Sequence, residues 1–126
     1  MAAFLLIKII MAKSNITLVR GDSSSIEVEF SQDGTPIDIT GSTVFLTVKP
    51  ALTDDTGDTT AVIKVEVTSH TNPTAGITII PLSATDTDVD PGDYYYDIQL
   101  VKDGLVTSIP YQMLTVRADV TRRISA

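Results

Sequence analysis

The stretch that decides the fold runs from Asp88 to Leu100 and reads Asp-Val-Asp-Pro-Gly-Asp-Tyr-Tyr-Tyr-Asp-Ile-Gln-Leu. Its Asp90-x-Gly92-x-Tyr94 spacing is typical of a tyrosine corner, in which a tyrosine entering a late strand bonds its hydroxyl to backbone just upstream. From Tyr94 onward, alternate positions are apolar. A strand that is buried on one face shows this pattern, so we expect Tyr94 to face the core and Tyr95 to face the opposite way.

The same alternation continues through most of the chain from residue 15 onward. The segment Ser25–Phe30 places Ile26, Val28 and Phe30 on one face and glutamates on the other. Residues 42–49 repeat the pattern, with Phe45 as the one large apolar side chain on the polar face. No window shows an apolar repeat of helical period, so the sequence predicts an all-β protein.

Turn signals separate these segments. Asp103-Gly104 lies between the last two alternating runs and predicts a two-residue hairpin. Pro110 lies within the final run and predicts an edge position or a bulge there, because proline cannot donate to a strand ladder. About seven short strands with turns between them predict an antiparallel, immunoglobulin-like β-sandwich.

The carboxylates around the corner also allow a different interpretation. Asp86, Asp88 and Asp90 have the alternate spacing of a calcium loop, and Asp97 falls at its twelfth position. Pro91 occupies the sixth position, where an EF-hand loop requires glycine. The corner interpretation is therefore favoured and no metal site is predicted. A calcium-assisted adhesive or glycan-binding sandwich using the acidic loops 53–58 and 86–93 stays open as an alternative.

Composition narrows the functional classes. The chain has 126 residues, enough for one domain, and it contains no cysteine. Its net charge of −7 opposes binding to a phosphate backbone, so nucleic acid is not an expected partner. His70 is the single histidine, lies before an Asn-Pro turn and is expected in a solvated loop. No nucleophile, base and orienting group can be named together, so we predict no catalytic residues, no cofactor and no enzymatic activity.

The N-terminus carries an apolar run, FLLIKII, that is far too short to span a bilayer. We divide the chain into an N-terminal arm or start-site extension (1–13), a sandwich (14–122) and a C-terminal tail (123–126). An uncovered apolar strand favours aggregation, so we expect this run to lie against another subunit or to extend a sheet edge. The predicted interface residues are Phe4, Leu5, Leu6, Ile7, Ile9, Ile10, Phe45 and Tyr95.

Four segments, in order, resemble a known family. They are LVRGDSSSIEVEF, DGTPIDITGSTVFLTVKP, LSATDTDVDPGDYYYDIQL and LTVRADVTR, and they cover roughly residues 16–122. Together they resemble the immunoglobulin-like N-terminal domain of baseplate upper proteins and related virion proteins of tailed bacteriophages.

This resemblance implies a structural, non-enzymatic virion protein that is made in the bacterial host cytoplasm. The expected role is a baseplate or tail interaction or adaptor module, and the alternative role is decoration of the head or neck surface. The expected partners are other phage virion proteins, with homo-oligomeric or ring association and without membrane or nucleic acid.

Overall fold

The structure is a computed structural model that describes residues 15–52 and 58–121, together with the backbone of residues 5–10. It contains ten strands and one short 3-10 turn among these residues. They are β1 (Leu5–Ile10), β2 (Ile16–Val19), β3 (Ser24–Glu29), β4 (Ser31–Gln32), β5 (Thr35–Pro36), β6 (Thr43–Lys49), β7 (Ile63–Val67), the 3-10 turn (Pro73–Ala75), β8 (Ile77–Leu82), β9 (Gly92–Lys102) and β10 (Leu105–Arg117). Within this described part, no helix is long and apolar enough to cross a membrane.

The strands form two sheets that enclose one core. The larger sheet has five strands in the order β2-β10-β9-β6-β7, and the smaller has three in the order β1-β3-β8. Neighbouring strands are antiparallel except for two parallel pairs, β1 with β3 and β2 with β10. A small separate hairpin joins β4 to β5. The predicted all-β sandwich is confirmed.

The core forms where the alternating apolar positions of both sheets meet. Its side chains are almost fully removed from solvent and are contributed by every strand of the two sheets whose side chains are described. The most deeply buried large residues are Tyr96, Phe30, Ile16, Leu18, Ile26, Ile39, Leu46, Ile80, Ile98, Ile109 and Leu114. Burying this much apolar surface is the main stabilising contribution in a chain that has no cysteine.

The turn predicted at Asp103-Gly104 is present, and Asp33-Gly34 has the same backbone geometry. Asp103 and Gly104 have φ of 52° and 78°, and Asp33 and Gly34 have φ of 52° and 79°. Two successive residues with positive φ form the tight hairpin whose twist matches that of the flanking strands. The register between β9 and β10 shifts between Ile109 and Gln112, so the bulge predicted at Pro110 is also present.

Strand β1 gives the apolar N-terminal run a place in the smaller sheet. Its backbone pairs in parallel with β3, from Leu5 opposite Ser24 to Ile10 opposite Glu29. β1 is one of the two edge strands of that sheet. Phe4 lies outside the described residues. The division of the chain at residue 13 remains a prediction.

His70 differs from its sequence-based interpretation. Its Nε2 lies 2.9 Å from the carbonyl oxygen of Ser42, and its Nδ1 lies 2.9 Å from the hydroxyl of Thr78. Ser42 and Thr78 are both buried. The prediction of a solvated loop histidine was therefore wrong, because the ring satisfies buried polar groups that alternation alone does not reveal.

Candidate interaction surface

The outer face of the five-stranded sheet carries Phe45 and Tyr95, the two aromatic residues within β6 and β9 that the sequence predicts as interface residues. Phe45 of β6 lies opposite Glu66 of β7 and Gln99 of β9. Tyr95 of β9 lies opposite Lys49 of β6. Both aromatic side chains are half-buried, since their strand neighbours on either side point into the core. The fold therefore brings Phe45 and Tyr95 to one surface, while β1 lies at the edge of the other sheet.

Two adjoining grooves cross this face. The first has a volume of about 430 Å³ and the second about 450 Å³, and both are lined by Thr47 and Asp58. The first groove is lined by Thr47, Lys49, Ala51, Leu52, Asp58, Tyr95, Tyr96, Asp97 and Tyr111. The second is lined by Phe45, Leu46, Thr47, Asp58, Lys64, Val65, Glu66 and Gln99. Because they share two residues, the grooves form one concave surface with an aromatic side chain in each half.

Charged groups lie within the first groove. The ammonium of Lys49 lies 3.0 Å from a carboxylate oxygen of Asp58. Asp97 has a raised pKa because its carboxyl is partly buried and lies near the negative charge of Asp58, and Lys49 opposes this shift only in part. A carboxylate in such surroundings gains from an added positive charge nearby. The groove therefore favours a partner that presents a basic group next to apolar atoms.

Tyr111 completes the aromatic part of the first groove. Its ring centroid lies 5.7 Å from that of Tyr95, with the ring planes at 79°, an edge-to-face arrangement. Tyr111 is 54% exposed and is thus available for contact. The bulge at Pro110 shifts the alternation of β10, so that Ile109 and Leu114 both face the core and Tyr111 faces outward.

Sequence reasoning missed Tyr111, Lys49 and Asp97 as parts of this surface. Strict alternation from Ile109 would have placed Tyr111 on the core side. The only signal in the sequence that Tyr111 faces outward is Pro110, which predicts a bulge that shifts the alternation. Lys49 and Asp97 are ordinary outward residues in their own strands. Their significance arises only from the alignment of β6 with β9.

The corner residues form a structural element beside this surface. The hydroxyl of Tyr94 donates a hydrogen bond to the backbone carbonyl of Asp90 at 2.5 Å. Gly92, between them, has φ of 153°, which the absence of a side chain allows. The Tyr94 side chain is buried, and this burial, together with the nearby charge of Asp90, raises its pKa. The corner holds the start of β9 and thereby the position of Tyr95.

The acidic turn before the corner is organised by local hydrogen bonds. A carboxylate oxygen of Asp86 accepts the backbone N–H of Ser83 at 2.8 Å, and the Ser83 hydroxyl accepts the N–H of Asp86 at 3.0 Å. Among the residues that the structure describes, no three histidine or carboxylate side chains come together in a way that could hold a metal ion. Most of the other acidic loop, residues 53–57, lies outside the described part of the chain.

Comparison with known proteins identifies the family. The model of the BppU N-terminal domain, a domain of phage baseplate upper proteins, matches residues 7–85 of this chain. No curated protein matches the chain. Among solved structures, the N-terminal domain of phage TP901-1 ORF48 has a similar fold, with a TM-score of 0.54 and 15% identity over 89% of this chain and 96% of that one. The chain therefore belongs to the BppU N-terminal domain family, and it is a structural protein of the phage baseplate.

Proposed function

We propose that this protein is a non-enzymatic interaction module that attaches one virion component to another through the grooved outer face of its five-stranded sheet. The observation that carries the proposal is the aromatic pair Tyr95 and Tyr111, half-exposed beside the charged groups of the first groove. Aromatic side chains in concave, partly desolvated positions dominate the binding energy of many protein interfaces. Membership of a baseplate family supports a partner that is itself a virion protein.

The chemistry of the groove specifies the kind of partner. Asp97 and Asp58 place two carboxyl groups beside Lys49, so the first groove carries an excess of one negative charge when all three are ionised. A partner loop or strand with an arginine or lysine next to an apolar residue would pair with Asp97 and pack on Tyr111. The net charge of −7 over the whole chain would also speed the approach of a basic partner surface.

The test uses phage particles that lack this protein. Purified wild-type protein is incubated with isolated tails and, separately, with isolated heads, and bound protein is measured after sedimentation. We expect binding to tails and no binding to heads. Binding to heads alone would contradict a baseplate or tail position and would support head or neck decoration instead.

Groove variants show which surface is used. We expect Tyr111→Ala to weaken particle binding at least about tenfold, because truncation of a central interface aromatic commonly costs more than 1.4 kcal/mol. Val120→Ala is the matched control, since Val120 is fully exposed and is not among the groove residues. Equal binding by the two variants would show that the grooves are not the contact surface.

We further propose that the N-terminal run, residues 4–10, contacts a neighbouring subunit in the virion. The support is the position of β1 at the outer edge of the smaller sheet, where no further strand among the described residues covers it. A parallel edge strand with one charged residue, Lys8, is suited to pairing with another chain.

Light scattering on the full chain and on a chain beginning at Met11 tests this role of the arm. We expect the shorter chain to fold and to self-associate less. Equal mass and equal stability of the two proteins would contradict the proposal and leave the sandwich unaffected.

A further inference from the structure

Among the residues that the structure describes, no strand pairs with the outer edge of β10 along its first half. β10 pairs with β9 on one side along nearly its whole length, but on the other side it pairs with β2 only from Leu114 to Arg117. Residues 105–108 are all exposed, and Leu105 and Val106 are 74% and 59% accessible. The segment from Leu105 to Ile109 is therefore an edge strand with apolar side chains at its outer end.

The hairpin geometry fixes which backbone groups this edge presents. The residues that flank a two-residue hairpin turn bond to each other, so the N–H and C=O of Leu105 point toward Lys102 of β9. Backbone direction alternates along a strand, so the groups of Val106 and Ser108 point away from β9. No strand among the described residues pairs with them on that side. Pro110, the next outward position, has no N–H to present.

Two of the other edge strands, β7 and β8, carry features that discourage pairing with another chain. β7 contains Lys64 and Glu66, and β8 contains Pro81. Charged residues and prolines are the usual devices that keep sheet edges apart. From Leu105 to Val116, β10 has no charged residue, and its single proline lies beyond the open five-residue segment.

Because this edge carries no charge, a second copy of the same negatively charged chain can approach it. Each chain carries a net charge of −7, so two copies repel one another over most of their surface. At physiological salt, screening limits the range of this repulsion to about 8 Å, so charges elsewhere on the two copies act only weakly at a contact between uncharged surfaces. The uncharged edge of β10 is thus a surface at which two identical copies can approach closely.

We propose that the edge of β10 at Leu105–Ile109 pairs antiparallel with the same segment of a second copy of this chain. With the two-fold axis at Thr107, Val106 of each copy lies opposite Ser108 of the other, and both residues exchange backbone hydrogen bonds across the axis. Leu105 of each copy then lies opposite Ile109 of the other. The two five-stranded sheets become one continuous sheet that spans the dimer.

A contact of this length forms a weak dimer in solution. Five paired residues a side bury less than the roughly 1,000 Å² that a stable biological interface needs. Subunits held in one particle, however, experience effective concentrations of about a millimolar, at which a weak self-contact is populated. The measurement therefore covers protein concentrations up to about 1 mM.

Sedimentation equilibrium on wild-type protein and two lysine variants tests the proposal. We expect the average mass of the wild type to rise from monomer toward dimer with concentration. Val106→Lys, which places a charge on the edge, should weaken self-association at least about tenfold. Val120→Lys makes the same change in charge away from the edge and should behave as the wild type. The chain beginning at Met11 should keep this association, which separates it from any contact made by the N-terminal arm.

Amide exchange gives a second, residue-specific measurement. The N–H groups of Val106 and Ser108 should exchange more slowly as concentration rises, whereas that of Thr107, already bonded to β9, should not change. Ser108→Pro, which removes an outward donor without removing a bond to β9, should abolish the mass increase. A wild type that stays monomeric at 1 mM, a dimer that survives both edge variants, or an equal loss in Val106→Lys and Val120→Lys would each overturn the proposal.

Discussion

Replacing Tyr94 by phenylalanine removes a single oxygen atom from the corner at the start of β9. In the wild type that oxygen donates a hydrogen bond of 2.5 Å to the carbonyl of Asp90, from a side chain that is 7% exposed. A hydrogen bond of this kind contributes about 0.5–1.5 kcal/mol net to stability, and the carbonyl left without its donor adds part of its desolvation cost. Because Asp90 is exposed, water can reach that carbonyl and limits the added cost. We expect a total loss of about 1–2 kcal/mol.

The adjacent residue provides a matched control for Tyr94→Phe. Tyr95→Phe removes the same atom from the outward, half-exposed face of the same strand, so we expect a change of less than about 0.3 kcal/mol. Urea denaturation with a common m-value measures both variants. If Tyr94→Phe also costs less than about 0.3 kcal/mol, the corner does not stabilise the fold and the reasoning is refuted.

Three further predictions concern stability and its pH dependence. Gly76→Ala should lower the free energy of unfolding by at least about 3 kcal/mol, because Gly76 has φ of 75° and an added Cβ would lie 2.4 Å from the carbonyl oxygen of Phe30. Gly41→Ala is the control: Gly41 has φ of 77° but no atom near the added Cβ, so the loss should be only about 1–2 kcal/mol. Urea denaturation measures both variants. The pKa of Asp97 is raised above its ordinary value of 3.8, so ionisation of this carboxyl opposes folding. Asp97→Asn should therefore raise the melting temperature at neutral pH and leave it unchanged at a pH well below 3.8. Equal shifts in melting temperature at both pH values would contradict this. Burial raises the pKa of Tyr96 from 10.0 to about 12, so the unfolded chain ionises first and this residue lowers stability between these pH values by up to about 2–3 kcal/mol. When unfolding is followed in alkaline buffers, the loss of stability should be smaller by that amount in Tyr96→Phe, and the raised pKa of Tyr94 contributes to the loss that remains.

The sandwich could be predicted from sequence because its signals are local. The inward set of β9, including Tyr94 and Ile98, follows from a period of two, and the hairpin follows from Asp103-Gly104. These features depend on neighbours in the chain, so alternation and turn chemistry are sufficient to find them.

The candidate surface could be predicted only in part, because its geometry depends on pairings between distant residues. Phe45 and Tyr95 were identified as outward aromatics, but the partnership of Tyr95 with Tyr111 requires a bulge in β10 and the register of that strand with β9. The bonds from His70 to Ser42 and Thr78 likewise join three segments that no local pattern connects. Parallel pairing of β1 with β3 is a non-local feature of the same kind.

The parallel pairing of β2 with β10 has a consequence for how the protein is made. It joins the second strand to the last strand that the structure describes, from Ile16 opposite Leu114 to Val19 opposite Arg117. A ribosome releases β2 long before β10 exists, so the larger sheet cannot close until β10 has been synthesised. Closing so long a loop is slow, and sandwiches dominated by such distant pairings fold in milliseconds to seconds. The larger sheet is therefore completed only after β10 has emerged, and a chain cut within β10 would lose its β2 contact and fail to fold instead of yielding a smaller sandwich.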